Sequence, residues 1–308
     1  MKHPGSKPTY TWWILALTGL FIAAVVYGVQ RGSVNAKTSP FNEQRAAEDL
    51  RTLTGFGPRP AASEAIARAR RYIAAELEKA GLKPQFDEFE AQTPRGVRKM
   101  VNVRVVRPGT KPAIIALTGH YETKIFDFRF VGANDGGSSA AWLLEMARAT
   151  ASIKLENTLE FVFFDGEEAV VEWTDQDSVY GSRYDLDRRY RNGKLRDLKA
   201  LILVDMIGDK NLNIRKETQS TGWLSNILWS TAQSLGYTRE FLNDGQEIAD
   251  DHVPYLRAGI PAVDLIDFDY PYWHTADDTL DKTSGRSLKI VGDVVYFSLP
   301  EIDRRVGN

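Results

Sequence analysis

Apolar residues fall into distinct rhythms along this chain. In residues 63–80, Ile66, Ala69, Tyr72, Ile73 and Leu77 recur at helical spacing, and Gly81 follows as a stop. The same spacing predicts helices over 142–149, 224–235 and 288–299. Residues 101–106 and 114–117 are short β-rich runs. Residues 159–164 (LEFVFF), 201–204 (LILV) and 261–266 are continuous apolar stretches, the pattern of strands covered on both faces. This alternation predicts an α/β domain: a central mixed, mostly parallel β-sheet with helices on both faces. In such folds the site lies past the carboxyl ends of the strands.

The N-terminus has a different pattern. No charged residue occurs between Lys7 and Arg31, and residues 12–29 (WWILALTGLFIAAVVYGV) are almost wholly apolar. As a helix at ~1.5 Å per residue this run covers ~27 Å, close to the hydrocarbon thickness of a bilayer. Trp12, Trp13 and Tyr27 sit near its ends, and Lys2 and Lys7 precede it. These features predict one N-terminal transmembrane helix acting as a signal anchor, its tail cytoplasmic. A cleaved signal peptide ending near Val34-Asn35-Ala36 is the rival. On either reading the rest is extracytoplasmic: membrane-anchored, or secreted if the segment is cut. The expected organisation is residues 1–30 as tail and anchor, 31–42 as linker and 43–308 as the catalytic domain.

Composition narrows the chemistry. Among 308 residues, 39 are basic and 41 acidic, a net charge of −2. That balance lacks the basic excess of a nucleic-acid-binding domain. Cysteine is absent. A thiol nucleophile, a disulfide framework and a Cys-ligated metal are therefore excluded. Any metal must rest on Asp, Glu and the four histidines.

Those residues fall where the predicted strands end. His120 follows 114–117; Asp165, Glu167 and Glu168 follow LEFVFF; Asp205 follows LILV; His274 lies beyond 261–266. Asp135 sits in Gly132-Ala133-Asn134-Asp135-Gly136-Gly137, just before a helix. Alone it reads equally as an N-cap. Carboxylates and imidazoles converging from several strand ends suit Zn²⁺ in an open catalytic site. In the Glu167-Glu168 pair, one carboxylate can bind metal while its neighbour acts as general base. The bland alternative is two acids capping the next helix. Gly136-Gly137-Ser138-Ser139-Ala140 only grazes a serine-nucleophile pattern, and Ser138 reads better as first-turn polarity. His252 reads as a supporting or helix-capping group.

Several stretches together resemble a known family. Gly119-His120-Tyr121-Glu122, Gly132 to Gly137, Glu167-Glu168, Asp205-Met206-Ile207-Gly208 and His274 look like the zinc-dependent M28 peptidase clan. Phe163-Phe164-Asp165-Gly166-Glu167-Glu168-Ala169 with Trp173, then Asp250-Asp251-His252-Val253-Pro254-Tyr255-Leu256-Arg257-Ala258-Gly259-Ile260-Pro261, then Tyr270-Pro271-Tyr272-Trp273-His274-Thr275, resemble glutaminyl-peptide cyclotransferases of the animal type. The likeness runs from about residue 45 to the C-terminus. Those animal enzymes usually carry a disulfide, which this chain cannot form.

The resemblance implies specific roles. One zinc ion would be held by Asp135, Glu168 and His274. Glu167 would be the general acid/base, and Asp205 and Asp250 a hydrogen-bonded acidic pair beside the substrate. Trp173, Tyr270 and Trp273 would wall the pocket, with Lys124 at its mouth. The substrate would be a peptide or protein with N-terminal glutamine, converted to pyroglutamate with release of ammonia. A di-zinc metalloaminopeptidase of the same clan is the alternative, with Asp135 bridging and His120 and Asp205 joining the ligands. A non-catalytic binding module would be expected to have lost ligands, and none is lost.

Overall fold

The structure is a computed structural model that describes Met1 and residues 38–307. The apolar run at 12–29, and the anchor or signal expected there, lies outside the described residues. Among the described residues no helix is long and apolar enough to cross a membrane.

In chain order the elements are α1 (Glu43–Gly55), α2 (Glu64–Lys79), β1 (Gln85–Thr93), β2 (Gly96–Arg107), β3 (Lys111–His120), α3 (Gly137–Ala149) and β4 (Asn157–Phe164). There follow α4 (Tyr180–Arg191), β5 (Leu198–Asp205), β6 (Ile214–Glu217), α5 (Gly222–Leu235), β7 (Phe241–Gln246), α6 (Val253–Arg257), β8 (Ala262–Ile266) and α7 (Gly285–Val306). Six strands form one sheet in the order β1-β2-β4-β3-β5-β8. The pairs β4–β3, β3–β5 and β5–β8 are parallel, while β1–β2 and β2–β4 are antiparallel. β6 and β7 form a separate parallel pair.

Both faces of the sheet are covered, which is why its strands read as continuous apolar runs. Ile115, Leu117, Phe161, Phe163, Ile202 and Val204 point to one side, where α1, α2, α3, α5 and α7 bury Leu50, Ile73, Trp142, Leu228 and Val294. Ala116, Val162, Phe164, Leu201 and Leu203 point to the other, under Leu186 of α4 and Tyr255 and Leu256 of α6. The alternate strand residues thus feed two cores, and the strand ends are left to carry polar groups.

The elements not foreseen are those whose apolar signal is weak. β1 is an edge strand (QFDEFEAQT) whose side chains are mostly exposed. α4 buries Asp185 and Arg189, which pair at 2.6 Å, with Arg189 also 2.8 Å from Glu160. α7 runs through Pro300 to Val306 because Ile302 stays in the core and the Asp303 carboxylate accepts from the backbone N–H of Glu156 and Asn157. The expected linker also ends early. Ser39 donates its N–H to Asp293 at 2.9 Å, Phe41 is buried, and Asn42 already caps α1.

One glycine sets the spacing between core and site. A Cβ on Gly119 would lie 2.8 Å from the Ser139 Cβ and 2.9 Å from the Val204 carbonyl oxygen. α3 therefore packs directly on β3 one residue before His120. Gly119→Ala forces that helix outward and is expected to destabilise the fold by about 1–3 kcal/mol in urea unfolding. An unchanged midpoint would contradict this packing.

Candidate active site

β3, β4, β5 and β8 are parallel to one another, so their carboxyl ends open on the same edge. β3 ends at His120 and β5 at Asp205, and Glu167 and Glu168 follow the end of β4 by a few residues. The loop carrying Asp135 is bent by Gly132 (φ 50°) and Gly136 (φ 74°). A Cβ on Gly136 would meet the Glu122 carbonyl oxygen at 2.3 Å, so only glycine fits. Gly136, not Asp135, is the N-cap of α3. The Asp135 side chain is thereby left for the cleft. Its backbone is clamped by the Asp278 carboxylate, which accepts from the N–H of Asn134 at 2.8 Å and of Asp135 at 3.1 Å.

Asp135, Glu168 and His274 offer ligand atoms that lie within 4.8 Å of one another. His274 Nε2 lies 3.0 Å from Glu168 Oε1 and 3.4 Å from Asp135 Oδ2. Asp135 Oδ2 is buried and takes no hydrogen bond. Burial alone would lower the basicity of the His274 imidazole, but the adjoining carboxylates of Asp135 and Glu168 push it up to about 9. Burial raises Asp135, yet the adjoining imidazoles of His120 and His274 hold it well below the usual carboxylate range. The cluster draws positive charge inward, and an O, O, N donor set with an orphaned carboxylate oxygen fits a divalent cation of the zinc type. His274 has φ 55°, and Met206, next to Asp205, has φ 47°. Each strained backbone costs about 1–3 kcal/mol and is held only by its surroundings. For His274 these include Trp273, stacked on the imidazole at 4.1 Å between ring centres.

Glu168 is fixed from both ends. Its N–H donates to Glu122 Oε1 at 2.9 Å, and Lys124 Nζ reaches its Oε2 at 3.1 Å. Lys124 is thus an ion-pair partner of Glu168 within the cleft wall. Glu167 points differently. Among the described residues its carboxylate takes no hydrogen bond; the nearest opposite charge is His120 Nδ1 at 3.9 Å. Its backbone is pinned instead, the carbonyl accepting from Val179 N at 2.7 Å. Burial pushes the Glu167 carboxyl well up, opposed by His120 and reinforced by Glu168, Asp250 and Asp251.

His120 Nε2 lies 3.0 Å from Asp205 Oδ1 and 3.3 Å from Asp135 Oδ1. A second triad, His120, Asp135 and Asp205, is accordingly close enough to hold metal, as is a third of His120, Glu122 and Glu167. Asp205 and Asp250 both line the cleft, and each is held by main-chain N–H groups. Asp205 Oδ1 accepts from Met206 N at 2.8 Å besides meeting His120, while Asp250 accepts from Asp251 N at 2.5 Å. Their charges still feel one another: burial and the neighbouring Asp205 push Asp250 up to about 6.

The cleft has a volume of about 430 Å³ and is walled by Val171, Trp173, Ile248, Phe268 and Trp273 above these acids. Trp173 and Trp273 sit where expected, each about two-fifths exposed. Tyr270 does not wall the cleft. It is buried behind it, and its hydroxyl donates to Asp278 at 2.7 Å, steadying the carboxylate that clamps Asp135. The turn 270–274 directs Trp273 outward and Tyr270 inward. His252 is fully buried and meets Glu217 at 3.1 Å, a supporting position. Ser138 Oγ donates to the Asn134 carbonyl and faces no base. Glu122 and Asp278 were not foreseen. They act through backbone N–H groups, which leave no spacing signal in sequence.

Fold and site together define a class: an α/β enzyme-like domain with a buried carboxylate–imidazole cluster at the carboxyl edge of its parallel strands. Residues 102–298 match the model of peptidase family M28. The chain belongs to that family. It is 31% identical over 239 residues to the bovine glutaminyl-peptide cyclotransferase, covering 65% of this chain and 66% of that one. The crystal structure of an Acidobacteriales bacterium glutaminyl cyclase superposes with a TM-score of 0.82 at 37% identity, over 87% of this chain and 97% of that one. A structure described as a leucine aminopeptidase precursor from Bacteroides thetaiotaomicron gives 0.77 at 25% identity, over 86% and 98%.

Asp278→Ala removes the acceptor for two backbone N–H groups beside Asp135. Loss of such support typically costs ~10–100-fold in metal affinity. Titration of the protein with Zn²⁺ against a competing chelator is expected to show that loss, with a smaller one for Tyr270→Phe. Unchanged affinity in Asp278→Ala would contradict the clamp.

Proposed function

We propose that this protein is a zinc-dependent glutaminyl-peptide cyclotransferase, converting N-terminal glutamine of peptides or proteins to pyroglutamate with release of ammonia. The observation that carries this reading is Glu167: a buried carboxylate facing the cleft without a hydrogen bond, beside the Asp135–Glu168–His274 cluster and under the apolar wall of Trp173 and Trp273. The names of the relatives support it. Asp135, Glu168 and His274 would hold one Zn²⁺. When bound, the ion supplies Lewis acidity at the γ-carbonyl and stabilises negative charge on its oxygen.

The residues perform the rest. The substrate's α-amine attacks its own γ-carbonyl carbon, and Glu167 accepts the proton that the amine loses. Glu167 then returns the proton to the leaving nitrogen, so ammonia departs and the five-membered lactam remains. The raised proton affinity of Glu167 suits both steps. Asp205 and Asp250 face the same space and would orient the γ-amide and the leaving nitrogen. Trp173 and Trp273 would hold the chain folded for attack and exclude water, whose addition would give hydrolysis instead.

The alternative, a di-zinc aminopeptidase, draws on the His120–Asp135–Asp205 triad. His120 and Asp205 lie 3.0 Å apart, as close as His274 and Glu168, so what favours the cyclotransferase is the wall of Trp173 and Trp273 over the cluster. For the N-terminal segment we retain the anchor reading: residues 12–29 in the bilayer, the catalytic domain extracytoplasmic. Detection in the membrane fraction with an intact N-terminus would support it; a chain beginning near residue 37 would support secretion.

Glutamine-initiated peptides should lose ammonia and gain no new amine terminus when incubated with the zinc-loaded chain. Release of free N-terminal residues instead would overturn the reading. Glu167→Gln should keep its zinc while turnover falls ~10²–10⁴-fold, toward the upper end because one group serves both proton steps. Glu168→Gln should lose metal affinity, because a neutral amide is a poor ligand. Zinc content and kcat of the two variants separate these roles, and the opposite pattern would exchange them.

A further inference from the structure

The cleft rim carries an uneven charge. Among the described residues lining it, Lys124 is the one Lys or Arg, and it is already held by Glu168 Oε2 at 3.1 Å and the Ala169 carbonyl at 3.2 Å. Glu247 also lines the cleft, and it is exposed. Its one polar neighbour in the described residues is Gln219, whose Nε2 lies 3.5 Å from Oε1, a weak contact that leaves the carboxylate free to meet a ligand. The remainder of the rim is apolar: Val171, Trp173, Ile248, Phe268 and Trp273.

The chain geometry says which part of a substrate reaches this carboxylate. Residues 247–250 all line the cleft and run from the exposed Glu247 to the buried Asp250. Extended chain advances ~3.3 Å per residue, so Glu247 stands up to ~10 Å along that wall from Asp250. A peptide whose terminal glutamine occupies the base advances at the same rate. On a path along this wall, its third and fourth residues come level with Ile248 and Glu247.

We infer that Glu247 is a specificity-determining residue, selecting peptides with Lys or Arg at the third or fourth position and disfavouring Asp or Glu there. This rests on the cyclotransferase reading and adds the charge class of its substrates. The carboxylate touches no reacting atom, so its effect falls on binding: on KM and Kd, with kcat unaltered between substrates. It is solvent-facing, so it weakens as salt screens it. An exposed ion pair amounts to a factor of about five, and exchanging attraction for repulsion widens the contrast to about tenfold.

The test compares Gln-Ala-Lys-Ala, Gln-Ala-Ala-Ala and Gln-Ala-Glu-Ala amides on the full zinc-loaded chain. Measurements are kcat and KM for ammonia release, and Kd from the fluorescence of the cleft tryptophans. Expected is an order Lys, Ala, Glu in KM and Kd, about tenfold across the series at low salt and compressed at high salt. Glu247→Gln should bring the three peptides together, and Glu247→Lys should reverse their order. A Lys-to-Glu ratio unchanged in Glu247→Gln, or no charge preference in the unmodified chain, would overturn the inference while leaving the cyclotransferase reading intact. If none of the three releases ammonia, the cyclotransferase reading fails, and the order of Kd values alone decides the role of Glu247.

Discussion

Asp135, Glu167, Glu168, Asp205 and Asp250 are all buried, and all sit at or just beyond the carboxyl ends of neighbouring strands or in the adjoining loops. Carboxylates this close and this dry repel one another and resist ionisation. The arrangement survives only by distributing compensation. His274 and His120 are drawn toward the charged form, backbone N–H groups donate to Asp205 and Asp250, and Lys124 closes on Glu168. Glu167 is the member left without a hydrogen bond. The same crowding that makes the cluster a cation site leaves this neighbour with a raised proton affinity. On the proposed reading, metal binding and proton transfer are two consequences of one electrostatic constraint.

The scaffold meets that constraint by rigidity. Two apolar cores clamp the sheet, so the strand ends do not drift apart under repulsion. Glycines at 119 and 136 let α3 and its leading loop approach closely enough to bring Asp135 into the cluster. Asp278 holds that loop from behind, and Tyr270 steadies Asp278. Strain at Met206 and His274 is held by the burial of Met206 and by the rings of Phe126 and Trp273 against His274.

Much of this was legible in the sequence, for identifiable reasons. Strands buried on both faces announce themselves as apolar runs, and the residues just past those runs must lie at the open edge. That logic places His120, Glu167, Glu168 and Asp205 correctly without any knowledge of tertiary contacts. It fails where burial is polar or partial. β1 alternates charged residues on an exposed edge, and α4 buries an Asp–Arg–Glu network instead of a hydrophobic stripe. It also fails for side chains whose direction is set by one turn, as with Tyr270, and for acids such as Glu122 and Asp278 whose partners are main-chain N–H groups.

The central claim is that Asp135, Glu168 and His274 hold one metal ion while the His120–Asp135–Asp205 triad holds none. Anomalous diffraction at the zinc edge from crystals of the active protein, with metal content measured on the same sample, tests this most directly. The account predicts one zinc per chain, with a single peak among Asp135, Glu168 and His274. A second full peak among His120, Asp135 and Asp205 would contradict it and favour the di-zinc aminopeptidase chemistry.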